Sequence, residues 1–212
     1  MVILTFSLVV LLSLLFFYLA TGKDGKMMSF FILWQVVVGV LVFYGLFKDK
    51  PTLFPLTIFG AMLLLIFKKK RIDYRKLKRN YFLAIHTLRI VVELVLYQLY
   101  LQAKIPKLMT YHGWNFDIII GCTALVLLIY FFFHDKKINE RLLFVWNIIG
   151  MIFLFIIVSL AVLSSPLPIQ QLAFDQPNIA ILELPYCFLP TCVVPIVLMS
   201  HILLFYKNDK VV

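Results

Sequence analysis

Seven long apolar runs, separated by short charged segments, constrain this chain more than any other feature of its sequence. A run of about 20 apolar residues is long enough to cross a hydrocarbon layer of about 30 Å as an α-helix. With 63% apolar residues and a mean hydropathy of +1.01, the chain is far more apolar than soluble domains, in which about 45–50% of residues are apolar. The pattern predicts an all-α integral membrane protein.

The runs predict about seven transmembrane helices within a single domain, residues 1–212. Their connections are short and leave no room for a soluble domain. The predicted helices are Val2–Ala20, Ser29–Phe47, Leu53–Phe67, Tyr81–Leu101, Ile118–Phe133, Leu142–Leu163 and Ile179–Tyr206.

A dense basic cluster sets the predicted orientation. Eight of the chain's 20 Lys and Arg residues lie in Lys68–Arg79 (KKKRIDYRKLKR), directly after an apolar run. Basic loops remain on the inner side of a membrane, where they attract anionic lipid headgroups. With this cluster inside, the N-terminus is predicted outside and the C-terminus inside. A net charge of +10 gathered beside apolar runs favours contact with the bilayer and argues against nucleic-acid binding.

Two similar segments raise the hypothesis of an internal repeat. Leu33–Gly39 (LWQVVVG) and Val145–Gly150 (VWNIIG) each contain a Trp–amide pair in a helix that follows a basic loop. In this hypothesis residues 1–67 and 118–206 form two parallel three-helix units, joined by helix 81–101. Parallel repeats of this kind occur in transporters. The alternative is a chance likeness between apolar sequences.

One face of the fourth predicted helix carries the strongest candidates for a functional site. His86, Arg89 and Glu93 lie at i, i+3 and i+7, and Tyr97 continues their face. A charge at the centre of a spanning helix costs roughly 2.5–3.5 kcal/mol, so such residues usually face the bundle interior and pair. The face is interpreted as a ligand or proton-coupling site, as a structural Arg89–Glu93 ion pair, or as an Arg89 that extends to the inner surface.

The last predicted helix contains two prolines, Pro190 and Pro195, inside the span. Each removes a backbone donor and frees the carbonyl four residues earlier, at Tyr186 and Thr191. Free carbonyls at membrane depth are tolerated beside protein or a water-lined cavity. A broken helix here is consistent with a binding site, and packing alone explains a kink equally well.

Ser200 and His201, near the inner end of the last helix, complete the candidate ligand and proton-coupling set. Two histidines and a carboxylate are metal-binding residue types, but the axial spacing of His86 and Glu93 gives no closed three-ligand set. No metal site is predicted, and the sequence identifies no cofactor. Because the phosphate-binding Gly loop, H-E-x-x-H and G-x-S-x-G motifs are absent from the sequence, no catalytic residue is assigned.

Two loops on the predicted outer side, Met109–Asp117 and Ser164–Asn178, are rich in amides, aromatic residues and carboxylates. One interpretation is that their aromatic residues anchor the chain at the membrane interface. The other is that their polar side chains, with one from the following segment, line an outer vestibule for a small polar solute. The candidate vestibule residues are Asn115, Asp117, Gln170, Gln171, Asp175, Gln176, Asn178 and Glu183.

Several segments carry a family resemblance. SSPLPIQQLAFDQPNIA and LPTCVVPIVLMSH, together with the fourth helix and MTYHGWNFDIIIG, resemble an uncharacterised family of small bacterial multi-helix membrane proteins. The resemblance covers roughly residues 82–205. It implies bacterial origin and a multi-pass location in the cytoplasmic membrane, and it implies no function and no site.

These features favour a small-solute transporter or a membrane solute-binding protein, coupled to protons through Glu93 or His86. Its site is predicted between the fourth helix and the broken last helix. The first alternative is an intramembrane enzyme acting on a lipid or quinone, with His86, Glu93 and His201 as acid, base or metal ligands. The second is a sensor or assembly partner of another membrane protein, in which the polar residues hold helices together. An enzyme is therefore the less favoured class.

Overall fold

Helices make up 76% of the chain in the computed structural model. The structure describes residues 1–69, 72–133 and 138–208, and these contain no β-strand, so the all-α prediction is confirmed. The α-helices are α1 (Val2–Ala20), α2 (Gly25–Phe43), α3 (Leu46–Asp49), α4 (Phe54–Lys69), α5 (Arg79–Leu101), α6 (Asp117–Phe133), α7 (Glu140–Leu163) and α8 (Val194–Asn208). Single 3₁₀ turns lie at Pro51–Leu53, Tyr74–Lys76, Lys107–Met109 and Ala180–Leu182, and a π-helical turn lies at Leu189–Val193.

Within the described residues, four helices are long and apolar enough to cross a membrane. They are α1, α2, α5 and α7, which contain 19 to 24 residues and reach mean hydropathies of 1.6 to 2.7. The other apolar helices, in Pro51–Ile66, Asp117–Phe133 and Leu189–Phe205, are shorter. Each of the seven predicted helices therefore corresponds to an apolar helix, and four of these meet the length criterion for a span.

The second helix is displaced towards the N-terminus from its predicted bounds, Ser29–Phe47. It begins at Gly25 because the Asp24 carboxylate caps it, accepting a hydrogen bond from the Met27 amide at 3.0 Å. It ends at Phe43 because Gly45 follows with a left-handed φ of 78°, which stops the helix.

The last helix begins later than the predicted Ile179. Residues 179–188 form a 3₁₀ turn and tight turns, and helical structure starts at Leu189. Pro190 therefore lies in the first turn, where its missing N–H costs little. Pro195 follows the π-helical turn and frees the Thr191 carbonyl as expected, whereas the Tyr186 carbonyl accepts a hydrogen bond from the Leu189 amide at 2.9 Å.

Helix α5 lies at the centre of the bundle. Of its most apolar 18-residue window 67% is buried, against 28–33% in α1, α2 and α7. Helices α1 and α6 pack along it, and α8 contacts both α5 and α7. Gly121 permits the close approach of α6, since a Cβ there would lie 2.7 Å from Ile90 Cγ1 and 2.9 Å from the Ile90 amide nitrogen.

The basic cluster Lys68–Arg79 lies partly outside the described residues, which omit Lys70 and Arg71. At its end Arg79 forms a two-pronged ion pair with Glu140, with N–O distances of 2.9 and 3.0 Å. This pair joins the start of α5 to the start of α7. Contact between the cluster and anionic lipid headgroups stays a prediction.

We predict that Gly121→Ala destabilises the protein by about 1–3 kcal/mol, because the added methyl group is forced into packed atoms of Ile90. Thermal or denaturant unfolding in detergent measures the change. Gly25→Ala is the matched control, since no atom lies within 4 Å of the position that a Cβ would take there, and it should stay within about 0.5 kcal/mol of the parent. Equal stability of the two variants would contradict the close α5–α6 contact.

Candidate functional site

The polar face of α5 is buried in the bundle. His86, Arg89 and Glu93 are 0%, 3% and 1% exposed. They lie on successive turns of the helix, and each meets side chains from different neighbouring elements. Together with Asn115, Asp117, Asn147 and His201 they form what we call the buried polar cluster.

Arg89 makes the central contact of the cluster, a two-pronged ion pair with Asp117. Its Nε donates to Asp117 Oδ2 at 3.0 Å, and its Nη2 donates to Asp117 Oδ1. Asp117 is the first residue of α6, so the positive end of that helix dipole also stabilises its carboxylate. The partner considered from sequence, Glu93, lies one turn further along α5 and instead bonds Asn115.

His201 links Arg89 to α7. Its Nε2 lies 3.2 Å from Arg89 Nη1, and its Nδ1 lies 2.5 Å from Asn147 Oδ1. The Asn147 Nδ2 donates to the His201 carbonyl at 2.9 Å, which orients the amide. Because a guanidinium can only donate, Nε2 must accept and Nδ1 must carry the proton. Asn147 and Arg89 therefore fix the tautomer of His201.

His86 is packed between two aromatic rings. Its ring centroid lies 4.1 Å from that of His201 and 5.3 Å from that of Trp146. Neither ring nitrogen has a hydrogen-bond partner among the described residues. A Cβ at Gly150 would lie 2.5 Å from His201 Cε1, so glycine leaves the space for this pair of imidazoles.

Among the described residues, one of the two Glu93 carboxylate oxygens has a hydrogen-bond partner. Its Oε1 accepts a hydrogen bond from Asn115 Nδ2 at 2.6 Å, and its buried Oε2 has no partner within the described part of the chain. Asn115 also donates to the Met109 carbonyl at 3.1 Å and accepts from the Asp117 amide at 3.1 Å. The cluster therefore contains two carboxylates, of which Asp117 pairs with the Arg89 guanidinium and Glu93 does not.

Two residues assigned from sequence to an outer vestibule belong to this cluster instead. Asn115 and Asp117 are 2% and 7% exposed, and their side chains are directed at Glu93 and Arg89. The reason is that the Lys107–Met109 turn folds the α5–α6 connection back over α5. Both are buried residues of the polar cluster.

Two of the remaining vestibule candidates, Gln170 and Gln176, bind backbone in or near the long connection that follows α7. Gln176 donates to the carbonyls of Tyr100 and Ile105 at 3.0 and 2.6 Å, and Gln170 donates to the Leu172 carbonyl at 3.2 Å. The side-chain amides of Gln170 and Gln176 thus donate hydrogen bonds to backbone carbonyls.

Glu183 and Asn178 fasten the same loop to its neighbours. Glu183 pairs with Lys104 at 2.6 Å, and buried Asn178 donates to the Ala161 carbonyl at 3.3 Å. Gln171 and Asp175 are exposed.

Tyr97 and Ser200 lie at the edges of the site. The Tyr97 ring packs against Tyr111 and His112, with centroids 5.1 Å apart in both cases, one turn of α5 beyond Glu93. Ser200 donates to the Ile196 carbonyl of its own helix at 2.7 Å. Among the described residues, Ser200 makes no hydrogen bond to a residue of the cluster.

Two amides that sequence reasoning did not assign to a site, Asn147 and Gln35, both bind the C-terminal segment. Gln35 Nε2 donates to the Thr191 carbonyl at 2.9 Å, and its Oε1 accepts from Thr191 Oγ1 at 3.0 Å. The carbonyl freed by Pro195 is thereby satisfied. The signal in the sequence was the Trp–amide pair of each segment, Trp34–Gln35 and Trp146–Asn147.

An apolar groove of about 520 Å³ opens on the surface between α1 and α2. Val10 and Leu14 of α1 form one wall, Val36 and Val40 of α2 form the other, and Phe188 closes an end. Gln35 lies in the same wall of α2 and contributes an amide to an otherwise apolar lining.

The histidines and carboxylates of the cluster are not arranged around a metal. Within the described residues, no group of three or more His, Cys, Asp or Glu side chains is placed to hold a metal ion.

The fold and the site define an all-helical protein of apolar helices with an ion-paired cluster at its centre. Residues 51–207 match the family model described as "Domain of unknown function (DUF8737)", and the chain belongs to this family. The match agrees with the resemblance to an uncharacterised family. No curated protein and no solved structure matches the chain. The whole buried polar cluster lies inside the matched residues, whereas α1 and α2 precede them.

We predict a strong non-additivity between Arg89 and Asp117. Arg89→Leu or Asp117→Leu alone should cost about 3–5 kcal/mol, because each leaves an uncompensated buried charge, while the double variant should cost much less than their sum. Unfolding in detergent measures all three. Glu183→Gln breaks an ion pair that is about 30% exposed on both sides, so it should cost under about 1 kcal/mol. If the losses of stability in the two single variants add up in the double variant, Arg89 and Asp117 are not ion-pair partners.

We predict that Asn147→Leu destabilises the protein by about 1–3 kcal/mol, because it removes the hydrogen bonds of Asn147 to the His201 imidazole and to the His201 carbonyl. It should also weaken the tautomer preference of His201, since Arg89 remains as the partner of Nε2 while the Nδ1 proton loses its acceptor. Unfolding measures the first effect, and ¹⁵N chemical shifts of the imidazole measure the second. Ser159→Ala, on the exposed side of the same helix, is the control and should change stability by less than about 0.5 kcal/mol.

Proposed function

We propose that this protein spans the bacterial cytoplasmic membrane seven times, with its N-terminus outside. Four helices of spanning length and three shorter apolar helices support the number of spans. The basic cluster at Lys68–Arg79 supports the orientation by the positive-inside rule. The bacterial location rests on the resemblance of residues 82–205.

Within that membrane we propose a proton-coupled transporter of a small polar solute, or a solute-binding protein of the same kind, with Glu93 as the coupling residue. The observation that carries the proposal is the charge balance of the cluster. Asp117 already neutralises Arg89 through two hydrogen bonds. A second carboxylate at membrane depth is costly as an anion, and binding one proton removes that cost.

The unused hydrogen-bonding capacity supports coupling over a purely structural role. A structural ion pair needs Arg89 and Asp117 alone. Glu93 Oε2 and both nitrogens of His86 lack partners within the described residues, and a buried unsatisfied polar group costs about 1–3 kcal/mol. Packing does not require this cost, whereas a site that takes up a proton or a hydrogen-bonding solute does.

The closed arrangement of Glu93 fits an occluded state of such a protein. Glu93 is 1% exposed and hydrogen-bonded to Asn115, and Tyr97, one turn further along α5, packs against Tyr111. Asn115 bonds Oε1 of Glu93, which leaves Oε2 without a partner among the described residues. In this proposal a proton or a solute donor binds Oε2 when the 109–116 loop withdraws.

We predict that purified protein in sealed proteoliposomes moves protons when the right solute is added outside. A panel of amino acids, monocarboxylates and sugars is tested, with an internal pH-sensitive dye as the readout. Glu93→Gln should lower the coupled proton movement at least about tenfold, because the amide cannot bind and release a proton. Glu183→Gln should keep it.

Two results would overturn the proposal. One is a panel in which no solute moves protons through folded parent protein. The other is coupled movement that survives Glu93→Gln at the parent rate.

The apolar groove between α1 and α2 favours a second candidate, an enzyme acting on a lipid or quinone. Its apolar lining suits a long hydrocarbon chain. Native mass spectrometry of protein purified in mild detergent distinguishes the two. A quinone or lipid bound in stoichiometric amount would favour the enzyme. Protein without a bound molecule would favour the transporter.

A further inference from the structure

Two buried groups with unused hydrogen-bonding capacity lie on opposite sides of Arg89. Glu93 is about one turn towards the C-terminal end of α5, and His86 is about one turn towards the N-terminal end. They are seven positions apart, which is about 10 Å along the helix axis. Neither Glu93 Oε2 nor the imidazole of His86 has a partner within the described chain.

The surroundings of these two groups differ. Glu93 faces Asn115 and Asp117 of the loop and start of α6, with Tyr97 and the exposed His112 beyond it. All of these belong to the end of the bundle at which α5 ends.

His86 faces the other half of the bundle. It contacts His201 of α8 and Trp146 of α7, and neither Trp146 nor Asn147 beside it is charged. Helix α1, which packs along α5, has no charged side chain. Arg89 is thus the charged group that the two halves share.

Arg89 separates the two groups with every nitrogen of its guanidinium engaged. Nε and Nη2 bond Asp117 on the Glu93 side, and Nη1 bonds His201 on the His86 side. A fixed guanidinium charge in a narrow pathway repels protons, which is how an arginine excludes them from some water channels.

We propose that the Arg89–Asp117 pair is a proton barrier between two proton-exchange sites, an outer one at Glu93 and an inner one at His86. This rests on the membrane orientation and proton coupling proposed above. The outer site exchanges its proton past the 109–116 loop. When a proton passes from the outer site to the inner site, Glu93 loses it and becomes a carboxylate. His86 gains it and becomes an imidazolium, so the total charge of the cluster is unchanged.

The first test measures passive proton leak in sealed proteoliposomes with no solute added. Parent protein should hold an imposed pH gradient. Arg89→Gln/Asp117→Asn keeps the charge balance and the polar volume but removes the barrier, so the gradient should decay at least about tenfold faster. Adding Glu93→Gln or His86→Asn to this double variant should restore slow decay, because either change removes one of the two exchange sites.

Folding of each variant is checked by size-exclusion chromatography and unfolding. If the double variant is folded and holds the pH gradient as long as the parent does, the proposed barrier role of the Arg89–Asp117 pair is overturned. A leak that persists after both Glu93→Gln and His86→Asn overturns the assignment of the two sites.

The second test uses the parent protein, so it does not depend on a variant that folds. In membrane vesicles of uniform orientation, a hydrophobic carbodiimide labels protonated buried carboxyl groups, and mass spectrometry locates the label. Labelling of Glu93 should fall when the pH on the outer side is raised and should not respond to the inner pH. Labelling that follows the inner pH overturns the proposal. Since neither test adds a solute, failure of solute-driven proton movement counts against the proposed transport function alone.

Discussion

A guanidinium charge buried among apolar helices is the constraint on which the rest of this structure depends. Arg89 carries donors that water cannot reach, so other elements must supply acceptors. Helix α6 supplies Asp117 at its first residue, and α8 supplies His201, which α7 in turn orients through Asn147. Gly121 allows the close approach of α6 to α5. The position of three helices around α5 thus follows from satisfying one side chain.

Helix α8 is held by two side-chain amides. Gln35 binds the carbonyl that Pro195 frees at Thr191, and Asn147 binds His201. The repeat hypothesis rests on the Trp–amide pairs to which these two residues belong, but the Trp contacts beside them are not equivalent. Trp34 donates to the Thr57 carbonyl in α4, which follows α2, whereas Trp146 donates to Thr123 Oγ1 in α6, which precedes α7. These contacts give the repeat no support, and it stays a prediction.

Helices and the polar face of α5 could be predicted from sequence because both depend on local periodicity. The partner of Arg89 could not. Spacing placed Glu93 within reach, whereas Asp117 comes close only because the α5–α6 connection folds back, and no local rule states that. The same fold-back makes Asn115 a buried ligand of Glu93. The prolines of the last helix signalled its late start. The choice between a kink and a new N-terminus depends on whether the Thr191 carbonyl finds a hydrogen-bond donor. That donor, Gln35, lies 156 residues away in sequence.

The identity of residue 93 supports the proposed proton coupling over a purely structural role. Glutamine has the shape of glutamate, carries no charge, and could still accept the hydrogen bond from Asn115. For stability alone it would be the better residue here, since Arg89 is already neutralised by Asp117 and a buried carboxylate adds a desolvation cost. What glutamate can do and glutamine cannot is exchange a proton. The same comparison applies to His86, whose ring packs as an aromatic residue would but keeps two nitrogens unbonded within the described chain.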